Sequence, residues 1–221
     1  IGSGPAIGDE HQRSFLAAVR DAGRLEITPV RDTEDFGVDW NDPCSLTEFG
    51  VRRPARPWRW RGPWRMGSAE SISPERLHKR FISAGFEVLD QIAMAGRLPE
   101  LESLRGHIIL LEAAESLTPS DQIMRRVRAL GEWGIYDVAS AVVVASPPVS
   151  SLEVVPSEPQ QDADWQAQCD VIFEQLEYYN PALPAVFGVP FGHTRPQWVL
   201  PYGGQLTVDS EKRKIWADYS R

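Results

Sequence analysis

His107-Ile108-Ile109-Leu110-Leu111-Glu112 is the stretch that decides the fold of this 221-residue chain. It is a continuous apolar run of strand length that ends on an acid, and it predicts a strand buried on both faces. Downstream, Ser120-Asp121 is expected to cap a helix that runs through Ile123, Val127 and Leu130. The next run, Ala139 to Ala145, is again strand-like and centred on Val142-Val143-Val144. Strand, helix, strand in that order predicts a βαβ unit with a right-handed crossover, and so an α/β fold.

Upstream, Ser73-Pro74-Glu75 reads as a helix start, with Ser as N-cap, Pro at the first helical position and an acid in the first turn. Phe81, Ile82, Gly85, Val88, Leu89, Ile92 and Ala93 continue it as an apolar stripe that ends near Gly96. Before it lies Arg52-Arg53-Pro54-Ala55-Arg56-Pro57-Trp58-Arg59-Trp60-Arg61-Gly62-Pro63-Trp64-Arg65. Its prolines exclude regular helix, and the alternation of Trp and Arg fits an extended strand or connector with one aromatic face. Thr28 to Pro43 breaks into turns and short extended pieces, and His11 to Ala22 reads as a short helix with Phe15, Leu16 and Val19 on one face.

On the other side, Pro147 to Asp164 is poor in large apolar groups and is expected to be a surface loop. Trp165 to Tyr179 reads as a helix with Ile172, Phe173 and Leu176 inward, followed by a short strand from Pro184 to Val189. Gln205 to Val208 and Lys214 to Ala217 form a closing hairpin.

The composition, 42% hydrophobic and 24% charged, is that of an ordinary globular protein. A net charge of −8 argues against nucleic acid or an anionic membrane as a partner. Two cysteines make neither a disulfide framework nor a zinc pattern, which fits a reduced, cytoplasmic protein without metal. No stretch approaches the roughly eighteen apolar residues that span a membrane. The opening Ile1-Gly2-Ser3-Gly4-Pro5 has neither the basic nor the apolar region of a signal peptide, and it does not read as a natural beginning.

Two residues carry candidate chemistry. Glu112 ends the buried run, where carboxylates of α/β folds face the functional crevice. The plainer reading is a strand-end glutamate reaching water, and Glu115 is an alternative functional carboxylate or a helix-start residue. His193 follows Gly192, whose missing side chain lets backbone approach and leaves the imidazole open, as suits a general base. Taken alone, a loop histidine is more often structural. The Trp/Arg run reads either as a buried connector or, at Trp58, Trp60 or Trp64, as the edge of a ligand pocket able to stack a base. There is no phosphate-binding glycine loop and no GxSxG elbow, and nothing calls for a cofactor.

Four further stretches stand out: Gly4-Pro5-Ala6; Asp39-Trp40-Asn41-Asp42-Pro43 with Trp58-Arg59-Trp60-Arg61-Gly62; Phe86-Glu87-Val88-Leu89 with Gly106-His107-Ile108-Ile109-Leu110-Leu111-Glu112; and Gly188-Val189-Pro190-Phe191-Gly192-His193-Thr194 with Leu200-Pro201-Tyr202-Gly203. Read together, they resemble the LD-carboxypeptidase family, in particular its microcin C self-immunity peptidase branch. The last stretch is the most specific. The resemblance implies a serine peptidase or amidase with a Ser–Glu–His triad, His193 as base and Glu112 as its orienting carboxylate. The family's serine sits in a Gly-x-Ser-Asp turn, which does not occur here, and Ser3, directly beside the Gly-Pro phrase that follows the nucleophile in the family, is at the wrong place to replace it.

Where the family has a Gly-Gly pair that lets backbone approach the substrate, this chain has Ser83-Ala84-Gly85, so Gly85 is the position carried over for substrate binding. The residue after Glu112 is Ala113 where an Asp is common, which fits the immunity branch better than the murein-recycling one. The implied architecture is a remnant of a Rossmann-like N-terminal domain (residues 1–43), a connector (44–70) and a small mixed α/β, swivelling, barrel-like C-terminal domain (71–221). The implied substrate is a small peptide-like molecule, either a murein peptide or an aminoacyl-nucleotide such as processed microcin C. Alternatives are a catalytically inactive ligand-binding module, or a chain completed by a homodimer partner or a separate N-terminal polypeptide.

Overall fold

The computed structural model describes residues 9–21, 23–62, 66–70, 83–201 and 203–219. In chain order these form α1 (Asp9–Leu16), which runs into a π-turn (Ala17–Asp21), β1 (Arg24–Ile27), β2 (Asp32–Thr33), β3 (Arg53–Pro54), β4 (Arg59–Arg61), β5 (Met66–Glu70) and β6 (Ser83–Gly85). Then come α2 (Phe86–Met94), β7 (Ile108–Glu112), α3 (Ser120–Trp133), α4 (Ile135–Val138), β8 (Ala141–Ala145), α5 (Glu158–Tyr179), β9 (Ala185–Val189), β10 (Gln205–Asp209) and β11 (Lys214–Asp218). The fold is mixed α/β. Ser3, Gly4-Pro5-Ala6, Trp64, Ser73-Pro74-Glu75, Phe81, Ile82 and Tyr202 lie outside the described residues.

The five-stranded sheet has the order β4-β9-β8-β7-β6. Its four strands from β6 to β9 are parallel, and β4 pairs antiparallel with β9 at one edge. The period-two alternation of buried strands sorts their side chains to two faces. Ile109, Leu111, Val142, Val144, Ala185 and Phe187 point to one face and pack with Ile123, Val127 and Leu130 of α3 and Cys169, Ile172 and Leu176 of α5. Ile108, Leu110, Ala141, Val143 and Val186 point to the other, where they meet Ile27, Leu206, Val208, Ile215 and Ala217. Those last five belong to an antiparallel sheet of order β1-β11-β10-β5. The protein is therefore three layers, helices on parallel sheet on antiparallel sheet, with two cores.

The chain upstream of residue 70 is woven into both sheets. β1 takes an edge of the antiparallel sheet beside β11, and β4 closes the parallel sheet. Arg61 on β4 also donates to the Leu183 carbonyl at 2.7 Å, tying that edge to the turn after α5. The βαβ unit from β7 through α3 to β8 is as the apolar runs predict, with Pro119 rather than Ser120 at the N-cap of α3.

Three expectations are corrected. The apolar stripe of residues 81–93 is not one helix: Ser83–Gly85 pairs in parallel with β7, and the helix begins at Phe86. The parallel partner offers those three residues a complete ladder, which local helix propensity does not outweigh. The segment from Pro147 to Asp164 is not a surface loop throughout, because Pro147 to Ser150 are buried and α5 starts at Glu158 behind an N-cap at Ser157. Ser150 is inside because its hydroxyl has a buried partner, described below. In α1 and its π-turn, Leu16 and Val19 are exposed while Ser14 is buried, its hydroxyl accepting the Val199 amide at 2.6 Å.

Candidate functional site

Parallel strands place their C-terminal ends along one edge, and the candidate residues collect there. Glu112 is the last residue of β7, and its register partner is Gly85, the last residue of β6. β9 leaves the same edge and continues through Pro190 and Phe191 to Gly192 and His193. Gly192 has φ +85, a left-handed backbone that favours glycine. A Cβ at Gly192 would fall 2.4 Å from Glu112 Oε2, so the loop lies against the carboxylate only because that atom is missing.

The result is a Glu–His pair. His193 Nδ1 meets Glu112 Oε2 at 3.3 Å, and His193 Nε2 meets Glu115 Oε2 at 3.1 Å. Side-chain exposure is 39% for His193, 21% for Glu112 and 67% for Glu115. The hydrogen bond to Glu112 raises the imidazole above the ordinary histidine value; partial burial opposes it, and the charges of Glu112, Glu115 and Glu87 add to the rise.

Glu87, in the first turn of α2, organises the loop after β7. It accepts from the Ala114 amide at 3.3 Å and from the Thr118 hydroxyl, on either side of Glu115. Arg126 of α3 stands 3.9 Å from Glu87 and donates to Asp90 at 2.8 Å. A Cβ on Gly85 would lie 3.0 Å from Glu87 Oε2, so Gly85 also permits a close approach at this edge.

The loop after His193 is braced by residues that carry no motif. Glu34 and Arg195 exchange both backbone hydrogen bonds, at 2.9 and 2.8 Å, and the Thr33 hydroxyl donates to the Arg195 carbonyl at 3.0 Å. Next to them the buried Asp35 carboxylate accepts from Arg53 at 2.5 Å, the Ser150 hydroxyl at 2.7 Å and the Val149 amide at 3.0 Å. Gln197 donates to the Gly192 carbonyl, and the Thr194 hydroxyl donates to Ser146 O at 3.4 Å. The available signal was a cluster of acids, Asp32, Glu34 and Asp35, in a turn, which sequence alone does not distinguish from solvated ones.

Trp58 and Trp60 lie elsewhere. Their rings are 6.2 Å apart, tilted by 47°, and pack half-buried on the core between the sheets. Trp60 pairs with Val186, and β4 stands three strand positions from β7, about 14 Å at ~4.8 Å per strand. The sheet therefore brings together Glu112, Gly85, His193 and Glu115, and sets the two tryptophans at its far edge. Among the described residues no group of three or more His, Cys, Asp or Glu is placed to hold a metal ion, and no helix is long and apolar enough to cross a membrane.

Residues 81–208, more than half of the chain, match the model of the LD-carboxypeptidase C-terminal domain. No curated protein sequence matches. Among solved structures the chain is similar to the microcin C7 self-immunity protein MccF in complex with aspartyl sulfamoyl adenosine (19% identity, TM-score 0.68, 98% of this chain and 58% of that one). It is also similar to the MccF-like protein from Streptococcus pneumoniae in complex with AMP (17%, 0.69, 96% and 58%) and to that from Bacillus anthracis str. Ames (18%, 0.61, 93% and 54%). The chain thus spans a little over half the length of these structures, and at such identities the likeness is one of fold.

Proposed function

Since this chain belongs to the LD-carboxypeptidase family through its C-terminal domain, we propose that it supplies the acid–base half of a serine-type amide hydrolase. The observation that carries the reading is the Glu112–His193 contact of 3.3 Å at the C-terminal edge of the parallel sheet. In this reading Glu112 accepts the Nδ1–H hydrogen bond, fixes the tautomer and stabilises the imidazolium. Nε2 takes the proton from a serine hydroxyl as that oxygen attacks the substrate carbonyl, then returns it to the departing nitrogen. The serine comes from a Gly-x-Ser-Asp turn, a motif that this sequence lacks, on a further segment or a partner chain. Gly85 faces the substrate through its backbone beside Glu112.

The substrate we propose is a small aminoacyl-nucleotide, with a murein peptide as the runner-up. Support comes from the neighbours of the same fold that hold aspartyl sulfamoyl adenosine or AMP. We place the reaction in the cytoplasm, in keeping with the free thiols of Cys44 and Cys169. A second reading, a ligand-binding module without turnover, is favoured by one observation: both imidazole nitrogens already face carboxylates.

The test uses this chain joined or mixed with a segment bearing the Gly-x-Ser-Asp turn and an aminoacyl phosphoramidate of adenosine. His193→Ala should cost roughly six orders of magnitude in kcat and Glu112→Ala roughly four. Undiminished turnover in both variants overturns the triad. Saturable calorimetric binding with no turnover in the unmutated protein selects the binding module instead.

A further inference from the structure

The imidazole of His193 is held from both sides. Glu112 faces Nδ1 at 3.3 Å and Glu115 faces Nε2 at 3.1 Å. A neutral imidazole has one N–H and one lone pair, so it would turn a lone pair toward one of the two carboxylates. Only the imidazolium donates to both.

The two carboxylates differ in how firmly they are placed. Glu112 ends a buried strand and is overlain by Gly192. Glu115 is 67% exposed, on a loop whose backbone is pinned on both flanks by Glu87, through the Ala114 amide and the Thr118 hydroxyl. Leu117 in that loop has φ 51, a left-handed backbone uncommon for leucine. The loop is thus fixed, and the Glu115 side chain is the part free to turn on its rotamers.

We propose that Glu115 is a positioning residue for the candidate base: a displaceable carboxylate that occupies His193 Nε2 and yields that place to the hydroxyl nucleophile. The inference rests on reading His193 as the base. Nε2 must carry a lone pair directed at a hydroxyl for proton transfer, and in this arrangement it carries a proton directed at Glu115. Activation is therefore a defined exchange. The Glu115 side chain swings out, the Nε2 proton passes to water, and the freed lone pair receives the nucleophile's hydrogen bond.

The charges around the ring set the balance of that exchange. Glu112 of β7, Glu115 of the following loop and Glu87 of α2 all favour the imidazolium. Arg126 of α3 offsets Glu87 from 3.9 Å and is itself engaged by Asp90 of α2. Glu115 held near Nε2 adds to the pull toward the protonated form, and with Glu112 on Nδ1 it holds the ring from both sides.

The test is an imidazole nitrogen NMR titration of this chain as it stands, comparing wild type with Glu115→Gln, Glu115→Asp and Glu112→Gln. Glu115→Gln keeps an acceptor but removes the charge, and from couplings of exposed pairs it should lower the His193 midpoint by about 0.15 to 0.7 pH units. The effect should shrink in 1 M salt, and Glu115→Asp should restore part of it. Glu112→Gln should lower the midpoint further and shift the tautomer. With the nucleophile segment present, the alkaline-going limb of the kcat/KM profile should move down by the same amount in Glu115→Gln. A Glu115→Gln midpoint that coincides with wild type overturns this inference and leaves the triad reading untouched. A His193→Ala protein that still turns over overturns the triad reading and leaves the titration result standing.

Discussion

The closeness of Gly192 to Glu112 gives the sharpest test of how the pair is assembled. An alanine at position 192 must adopt φ +85, which costs a side-chain-bearing residue about 1–2 kcal/mol. Its Cβ would lie 2.4 Å from Glu112 Oε2 and 3.2 Å from both Glu112 Cβ and Ala145 Cβ, where ordinary contact begins at 3.4 Å. The carboxylate must therefore withdraw by about 1 Å. Its contact with His193 is already 3.3 Å, so that movement breaks it. A charge-assisted hydrogen bond is worth about 1.5–3 kcal/mol, and the lower end applies because His193 is more than a third exposed.

Gly192→Ala should then destabilise by about 2.5–3.5 kcal/mol, which for a chain of this size lowers Tm by roughly 5–14 °C. Urea unfolding of a double-mutant cycle separates the two contributions. In a Glu112→Ala background the 2.4 Å clash with Oε2 is gone while the two 3.2 Å Cβ contacts remain, and Gly192→Ala should cost about 1.5 kcal/mol less than in wild type. Equal costs in the two backgrounds would refute the claim that this glycine is there to admit the carboxylate.

Other consequences are simpler. Because the His193 pKa is raised in the folded protein, the stabilisation by Glu112 is complete below the unfolded histidine value near 6.5, as long as the carboxylate is ionised. It is lost as pH rises through the raised folded value, so the Tm gap between wild type and Glu112→Gln should be wider at pH 5.5 than at pH 9. Asp35→Ala leaves the buried Ser150 hydroxyl and Val149 amide without their acceptor and leaves Arg53 with Gln161 alone in place of its carboxylate partner. It should cost about 3–5 kcal/mol in urea, and a loss below 1 kcal/mol would show that the brace is dispensable. Trp60→Ala should cost about 1.5–3 kcal/mol in stability, less than a fully buried tryptophan because its ring is half-buried, whereas a tryptophan acting mainly as a stacking platform would give weaker nucleotide binding with an unchanged Tm.

What was legible in the sequence was what local pattern encodes. Ile108 to Leu111 and Val142 to Val144 are uniformly apolar because both faces of their strands are covered, and Ile123, Val127 and Leu130 repeat at helical spacing along one covered face. The Gly192-His193 dipeptide and the strand-end Glu112 were visible as types, but their contact spans 81 positions, and only the resemblance to a family joined them. Ser83–Gly85 was misread because three residues show no period, and a parallel neighbour decided their state. Pro147 to Ser150 reads as solvated loop, yet it is buried because the Val149 amide and the Ser150 hydroxyl have a partner, Asp35, more than a hundred positions away. Local composition holds no trace of such a pairing.

The same distance explains the small residues at the site. Glu112 and His193 belong to β7 and the continuation of β9, and β8 lies between them. A loop leaving β9 must therefore cross the end of β8, roughly 10 Å of sheet at ~4.8 Å per strand. Two features make the crossing feasible. The pairing of β8 with β9 shifts between Val144 and Ala145, which leaves Gly188, at φ +91, as an extra residue that re-aims the end of β9. The strand being crossed ends in Ala145, whose Cβ lies only 3.2 Å from where a Gly192 Cβ would stand. A larger side chain at either place would lift the loop off the sheet and carry His193 away from Glu112. Gly188, Ala145 and Gly192 form no chemistry, yet they set the distance on which the chemistry depends.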